Sequence, residues 1–548
     1  MSKTIDNPIL SGFNPDPSIL RVGDDFYIAT STFEWFPGVQ VHHSRDLVNW
    51  RLLTRPLDRV SQLDMRGIGN SCGVWAPCLS YDEDAQRFYL IYTIVRSRGH
   101  FKDTPNFLVT AESIHGPWSE PTYLNASGFD PSLFHDDDGR KWLVNMVWDP
   151  RGGVHPFAGI LLQEYNAAAG RLVGPVKNIF QGTALQLVEG PHLYKRSGWY
   201  YLLTAEGGTM HEHAVTLARS RSIDGPYEVH PQNPVLTADG HDELELRKAG
   251  HASLVETQDG RWYMAHLCGR PVPPSGRCIL GRETALQEVR WDDDGWLRLT
   301  AGGNTPRVRV PAPDLPLHPF SVPPARDDFD EPTLRIDYQT PRVPLDTQTC
   351  SLTARRGWLR LFGGESLASP YYQSHVARRV QHHRCAVRTC VDFEPEHFQH
   401  FAGLTAYYDT ESFYFLGVTY CENHGRCLTL FGMDRGEHCE FPDIPVSINH
   451  SGVVHLGLDL NGSDLQFIAS PDAMSWYPVG PKLDASILSD EHPKELGFTG
   501  AFVGLSVQDM AGASKSADFD YFEYRPLQTE AVKPPAARRL RRMPSSSL

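Results

Sequence analysis

One short phrase, repeated five times at nearly constant spacing, restricts the folds open to this chain more than any other feature. It runs Asp16-Pro17-Ser18-Ile19, Ala76-Pro77-Cys78-Leu79, Asp130-Pro131-Ser132-Leu133, Gly190-Pro191-His192-Leu193 and His251-Ala252-Ser253-Leu254. The first positions step by 60, 54, 60 and 61 residues. A period near sixty over five copies is the mark of a radial or stacked repeat architecture. After each copy comes a polar turn and then an aromatic strand, as in Gly23-Asp24-Asp25-Phe26-Tyr27-Ile28 and Asp259-Gly260-Arg261-Trp262-Tyr263-Met264. Asp-Gly and Ser-Gly between apolar runs make hairpins, because Gly tolerates the positive φ the turn needs. Sixty residues of strand and turn with almost no helical periodicity fit a four-stranded propeller blade. The expected fold is therefore all-β, with a five-bladed β-propeller over residues 1–300.

Between 301 and 326 the chain holds seven prolines and reads as a stiff linker. Residues 327–526 alternate apolar and polar side chains in short runs, such as Phe413-Tyr414-Phe415-Leu416-Gly417-Val418. That pattern predicts a β-sandwich domain. The tail from 527 to 548, with Arg538-Arg539-Leu540-Arg541-Arg542, is expected to be disordered and is assigned no function.

A formal charge of −15 argues against a nucleic-acid partner or an anionic membrane surface. No apolar run reaches the roughly 18–20 residues that span a bilayer, and the first residues have no signal-peptide core. The ten cysteines form no CxxC pair and read as free thiols. Together these predict a cytoplasmic protein.

The repeat also places acids. Asp16 and Asp130 open their copies, and Glu189 stands one residue ahead of its own. A lone Asp-Pro is usually a turn starter, but three carboxyl groups at matched positions of a radial repeat converge on one axis. Burying them there without purpose is expensive. Two carboxyl groups of opposite ionisation are what glycosidic bond cleavage needs, one donating a proton and one activating water or attacking carbon. A third acid nearby raises the donor's pKa by repulsion. His251 replaces the acid in the fifth copy and could orient a carboxylate or a sugar hydroxyl. Arg282, after a Gly-containing loop, reads either as a surface ion pair or as a fork for sugar oxygens. Phe33, Trp75 and Trp148 lie near the inner ends of blades and are candidates for stacking on a pyranose. His211-Glu212-His213 has no evident third ligand and reads as structural.

Asn14-Pro15-Asp16-Pro17-Ser18, Ser31-Thr32-Phe33-Glu34-Trp35-Phe36-Pro37-Gly38, Trp75-Ala76-Pro77, Phe129-Asp130-Pro131-Ser132, Val188-Glu189-Gly190-Pro191-His192, Gly250-His251-Ala252-Ser253 and Leu280-Gly281-Arg282-Glu283-Thr284 resemble glycoside hydrolase family 43. The likeness is to its two-domain β-xylosidase branch. It continues through Phe498-Thr499-Gly500-Ala501-Phe502-Val503-Gly504 and covers about residues 5–525. The resemblance implies an inverting hydrolase with Asp16 as general base, Glu189 as general acid and Asp130 as the modulator of its pKa. It implies that His251, Arg282, Phe33, Trp75, Trp148 and Thr209 line the terminal-sugar subsite, with Phe502 walling the pocket from the sandwich. The implied activity is exo-cleavage of xylooligosaccharides, with arabinofuranosidase activity in many relatives. Met210-His211 stands where relatives often carry an aromatic, which bears on leaving-group preference. No cofactor is required, although some relatives hold calcium or another divalent ion near the position of His251. A homo-oligomer, dimer or tetramer, is also implied. An arabinofuranosidase, a retaining furanosidase and a non-catalytic sugar-binding propeller remain as alternatives.

Overall fold

The computed structural model describes residues 3–441, 444–448, 451–512 and 514–527; the basic tail from 528 onward lies outside them. The described chain is all β apart from one 3-10 turn at Ala485–Ile487. None of its helices is long and apolar enough to cross a membrane.

Five antiparallel sheets follow one another along the chain in meander order, four of four strands and the fourth blade with a fifth short strand, Leu236–Thr237. The first blade leaves out Trp35–Phe36, which pairs with Thr340–Pro341. The innermost strands are Ser18–Val22, Gly73–Asp82, Ser132–His135, Glu189–Arg196 and Arg247–Glu256. They contact one another in a closed ring, so the repeat is radial: a five-bladed β-propeller. The repeated phrase sits at the head of each inner strand, and its first residue is left-handed in all five copies. The φ values are 56° for Asp16, 34° for Ala76, 54° for Asp130, 57° for Gly190 and 45° for His251. In blades 2, 4 and 5 the pairing register slips at this point, as in a β-bulge that re-aims a side chain. The bulge turns the first residue toward the propeller axis.

The third residue of the phrase joins the blades. Ser18 Oγ accepts the Leu79 N–H (3.1 Å), and Ser132 Oγ donates to the Pro191 carbonyl (2.6 Å). Ser253 Oγ donates to the Pro17 carbonyl (2.8 Å) and accepts the Ile19 N–H (2.9 Å), tying the last blade to the first. The ring is also closed by Thr4–Asp6, which pairs with Arg309–Pro311. The proline-rich segment is therefore no free tether. It runs along the propeller, where Arg261 donates to the Ala312 carbonyl and Asp46 accepts the His318 N–H.

Beyond it, two sheets pack face to face as a sandwich. One is built around Ser516–Pro526, Arg384–Asp392 and Val453–Asn461, the other around Phe502–Asp509, His400–Asp409 and Ser412–Cys421. The sandwich core takes in Val272, Ile279 and Leu280 of the propeller. A second shared core unites Phe13, Phe33 and Trp35 with Tyr407, Phe413 and Phe502. Buried polar contacts cross the same seam: Arg379 donates to Asn14 Oδ1 (2.7 Å), and Arg342 to the Ile68 carbonyl (2.6 Å). Gly281 (φ 70°) lies so close to the Thr499 carbonyl that a Cβ there would fall 1.8 Å from its oxygen. Only glycine permits that approach.

Candidate active site

The propeller axis is hollow at both ends. One end is a cavity of about 270 Å³ whose wall contains a single carboxylate, Glu256. The other is a smaller pocket under the sandwich, and all three acids of the repeat face it. The chemistry belongs at this second end.

Asp16 is 6% exposed and heavily partnered. Ser31 Oγ donates to its Oδ2 at 2.6 Å, while Arg282 Nη1 lies 3.4 Å and His251 Nδ1 3.7 Å from Oδ1. Burial alone would raise its pKa. Arg282 first, then His251 and the Ser31 hydrogen bond, outweigh that and hold the carboxyl below its ordinary range. Ser31 is itself fixed, since its oxygen accepts the Ala76 N–H at 2.7 Å. The acid-free second copy thus steadies the acid of the first.

Asp130 and Glu189 go the other way. Burial, then the charges of Glu189 and Asp16, push Asp130 well above the carboxylate range. Glu189, more open than the other two, rises to about 8 through burial and the charge of Asp16, opposed by Arg282 and Lys102. The two titrate as a pair that keeps a proton at neutral pH. The Gly190 N–H donates to Asp130 Oδ2 (3.1 Å), a bond that favours negative charge on Asp130 but is outweighed there by burial and by the charges of Glu189 and Asp16. Gly190 is needed here because a Cβ would meet the His251 ring at 3.2 Å in an already left-handed residue.

Arg282 organises the rest. Its Nη1 donates to Thr209 Oγ1 (3.0 Å) and its Nη2 to the Phe498 carbonyl (3.1 Å). Its guanidinium lies 5.3 Å from the Phe33 ring and 5.1 Å from that of Phe498. Phe33 and Phe498 stack at 5.8 Å and 28°. Trp75 meets Phe129 and Phe498 edge-on at 5.4 and 5.3 Å. The result is an aromatic collar over a carboxylate floor, the arrangement that receives a sugar with apolar C–H faces and polar edges.

Eight of the ten residues expected from the sequence line this pocket: Asp16, Asp130, Glu189, Phe33, Trp75, Thr209, His251 and Arg282. Two do not. Trp148 stands behind the wall, packed on Phe129 at 6.2 Å and capped by Lys102 Nζ at 4.4 Å, because Phe129 takes the inward place beside Asp130. Phe502 is fully buried and stacked on Trp35 at 3.6 Å and 12°. As the first residue of a core strand it joins the domains, and Phe498, in the loop before that strand, walls the pocket instead. Sequence reasoning does not single out Phe129 and Phe498, which line the pocket, or Ser31, which holds Asp16. All three stand inside the quoted motifs, and adjacency of Phe129 to Asp130 was the available signal. Of His211-Glu212-His213, only His213 comes close. It is buried behind His251, with its Nδ1 at 3.2 Å from the Lys248 carbonyl.

The side chains around His251 do not suit calcium, which takes six to eight oxygen ligands. Among the described residues no three His, Cys, Asp or Glu converge as a metal cluster. The carboxylate nearest His251 is Asp16, already paired with Arg282.

Comparison with known proteins agrees with this geometry. The family described as Glycosyl hydrolases family 43 matches residues 5–297, and the Beta xylosidase C-terminal Concanavalin A-like domain matches 326–525. The chain is 54% identical to "Xylosidase/arabinosidase 43B" of Humicola insolens over 95% of this chain and 98% of that one. It is 50% identical to a "Xylan 1,3-beta-xylosidase" of a Vibrio species over 96% and 99%. The crystal structure of xylan beta-1,4-xylosidase from Bacillus halodurans C-125 superposes with a TM-score of 0.94 at 57% identity, covering 95% of this chain and all of that one.

Proposed function

Since the chain belongs to glycosyl hydrolase family 43, we propose that it is an exo-acting, inverting β-xylosidase releasing terminal xylose from the non-reducing end of xylooligosaccharides. The observation that carries this reading is three acids lining one pocket with unequal partners: Asp16 is held charged by Arg282, His251 and Ser31, while the buried Asp130–Glu189 pair retains one proton. Asp16 removes a proton from water as its oxygen attacks the anomeric carbon. Glu189 gives its proton to the departing glycosidic oxygen as the C–O bond breaks. Asp130, anchored by Gly190, holds the donor in its acid form through repulsion. Arg282 and His251 orient Asp16. The pocket is small and is walled by Phe498 from the sandwich, which favours a chain end over a chain middle and so exo cleavage.

The relatives' names span xylosides and arabinosides, and both 1,3 and 1,4 linkages. Proton NMR of the first-formed sugar from an aryl β-D-xyloside, whose leaving group is not a sugar, tests the proposal. Early α-xylose, later mutarotating, is the expected result. Early β-xylose would mean retention and overturn the mechanism. A large preference for an aryl α-L-arabinofuranoside over the β-xyloside would replace the substrate. The same reading extends to a cytoplasmic homo-oligomer acting on imported oligosaccharides, for which sedimentation and cell fractionation are the tests.

A further inference from the structure

The sandwich reaches the pocket by one loop, residues 488–500. Phe498 is its visible contribution, but Asp490 lies deeper, 1% exposed. Tyr408 Oη donates to Asp490 Oδ1 at 2.9 Å. Asp490 Oδ2 has no hydrogen-bond partner among the described residues. Facing it at 3.9 Å is Arg282 Nε, the one edge of that guanidinium also without a partner there. The adjacent Lys248 is engaged elsewhere, with Glu491 Oε1 at 2.5 Å. A buried carboxylate needs a counter-charge; Lys248 and Arg282 both supply it, and of the two only Arg282 has a free edge turned to Oδ2 among the described residues.

We infer that Asp490 is a positioning residue for the hydrolytic reaction: from the second domain it holds Arg282 edge-on and shares its charge with Asp16. This rests on Asp16 and Glu189 being base and acid. Arg282 lowers the pKa of both Asp16 and Glu189. With Asp490 ionised behind it, part of that field is cancelled, and Glu189 keeps its proton to higher pH. Asp490 is faced by Lys248 and Arg282, by the acidic Glu491 and by the Tyr408 hydroxyl. Burial carries its own carboxyl up to about 7, with Lys248 and Arg282 pulling it back, so its charge grows across neutral pH. The second domain thereby acts on the ionisation of the floor as well as on the shape of the roof.

The test is the pH dependence of kcat/KM on an aryl β-xyloside, with the full chain, for wild type, Asp490→Asn and Tyr408→Phe. Removing the charge should move both limbs to lower pH, the basic one by about half a unit or more, and raise KM severalfold as Arg282 loses its rear support. Tyr408→Phe removes a hydrogen bond that favours ionised Asp490. It should shift the limbs the same way by less, and it serves if Asp490→Asn does not fold. A folded variant whose limbs and KM overlay the wild type, whatever its melting temperature, would overturn the inference. Failure of the underlying reading looks different: the wild type itself would show no two-limbed profile.

Discussion

At the residue scale, three carboxyl groups of the same chemical type are shifted in different directions because their neighbours differ. Asp16 has a guanidinium, an imidazole and a hydroxyl within about 4 Å, while Glu189 has chiefly burial and another acid. Two measurements follow. The kcat/KM profile should fall on the alkaline side with a pKa of about 8, as Glu189 loses the proton it must donate. It should fall on the acid side only below the ordinary aspartate range, as Asp16 gains one. A profile flat from pH 6 to 10 would contradict the assignment. Asp16→Ala should lower kcat by roughly 10²–10⁴-fold while xylose still binds, read by calorimetry. A near wild-type rate in that variant would remove Asp16 from the mechanism.

At the scale of the element, the repeat phrase has a division of labour along its length. Its first residue, left-handed in every blade, faces the axis and varies with chemistry: Asp, Ala, Asp, Gly, His. Its third residue faces the next blade, and Ser18, Ser132 and Ser253 each bond across the gap. Ser253 joins blade 5 to blade 1, and both its donor and acceptor capacities are used in a buried place. Ser253→Ala should therefore cost about 1–3 kcal/mol by stranding a carbonyl and an N–H. The check is a lower denaturant midpoint at unchanged slope; no change would mean that the ring closes by other contacts alone. The repeat is legible in sequence because its phrase is four consecutive residues, whereas the left-handed bulge at its head is visible only in the structure. What the repeat could not show is the closure by Thr4–Asp6 on Arg309–Pro311, a pairing of segments about 300 residues apart.

At the scale of the whole molecule, propeller and sandwich share two cores, and the roof residue Phe498 packs against one of them. Two phenylalanines four residues apart divide this task. Phe502→Ala should destabilise the protein by about 3–5 kcal/mol, as a large buried ring is lost from the joint core. Phe498→Ala should raise KM roughly 3–10-fold, the equivalent of about 0.5–1.5 kcal/mol of ring contact, with a much smaller loss of stability. Thermal melts beside Michaelis curves for both variants separate the roles. The opposite pattern would return Phe502 to the pocket wall.

The amino-acid order alone determined the number of blades, the place of the three acids and the all-β character of both domains. Each is written as a local pattern that recurs, and recurrence turns a weak four-residue signal into a strong one. Only the tertiary structure decided how the neighbours shift each acid, which aromatics line the pocket and where Asp490 points. Ionisation depends on burial and on charges brought from several blades at once. The wall of the pocket depends on which of two nearby rings is consumed by the core. Arg282 and Asp490 stand more than 200 residues apart, in different domains with no shared period, and only the packed domain seam brings their unpaired edges to 3.9 Å.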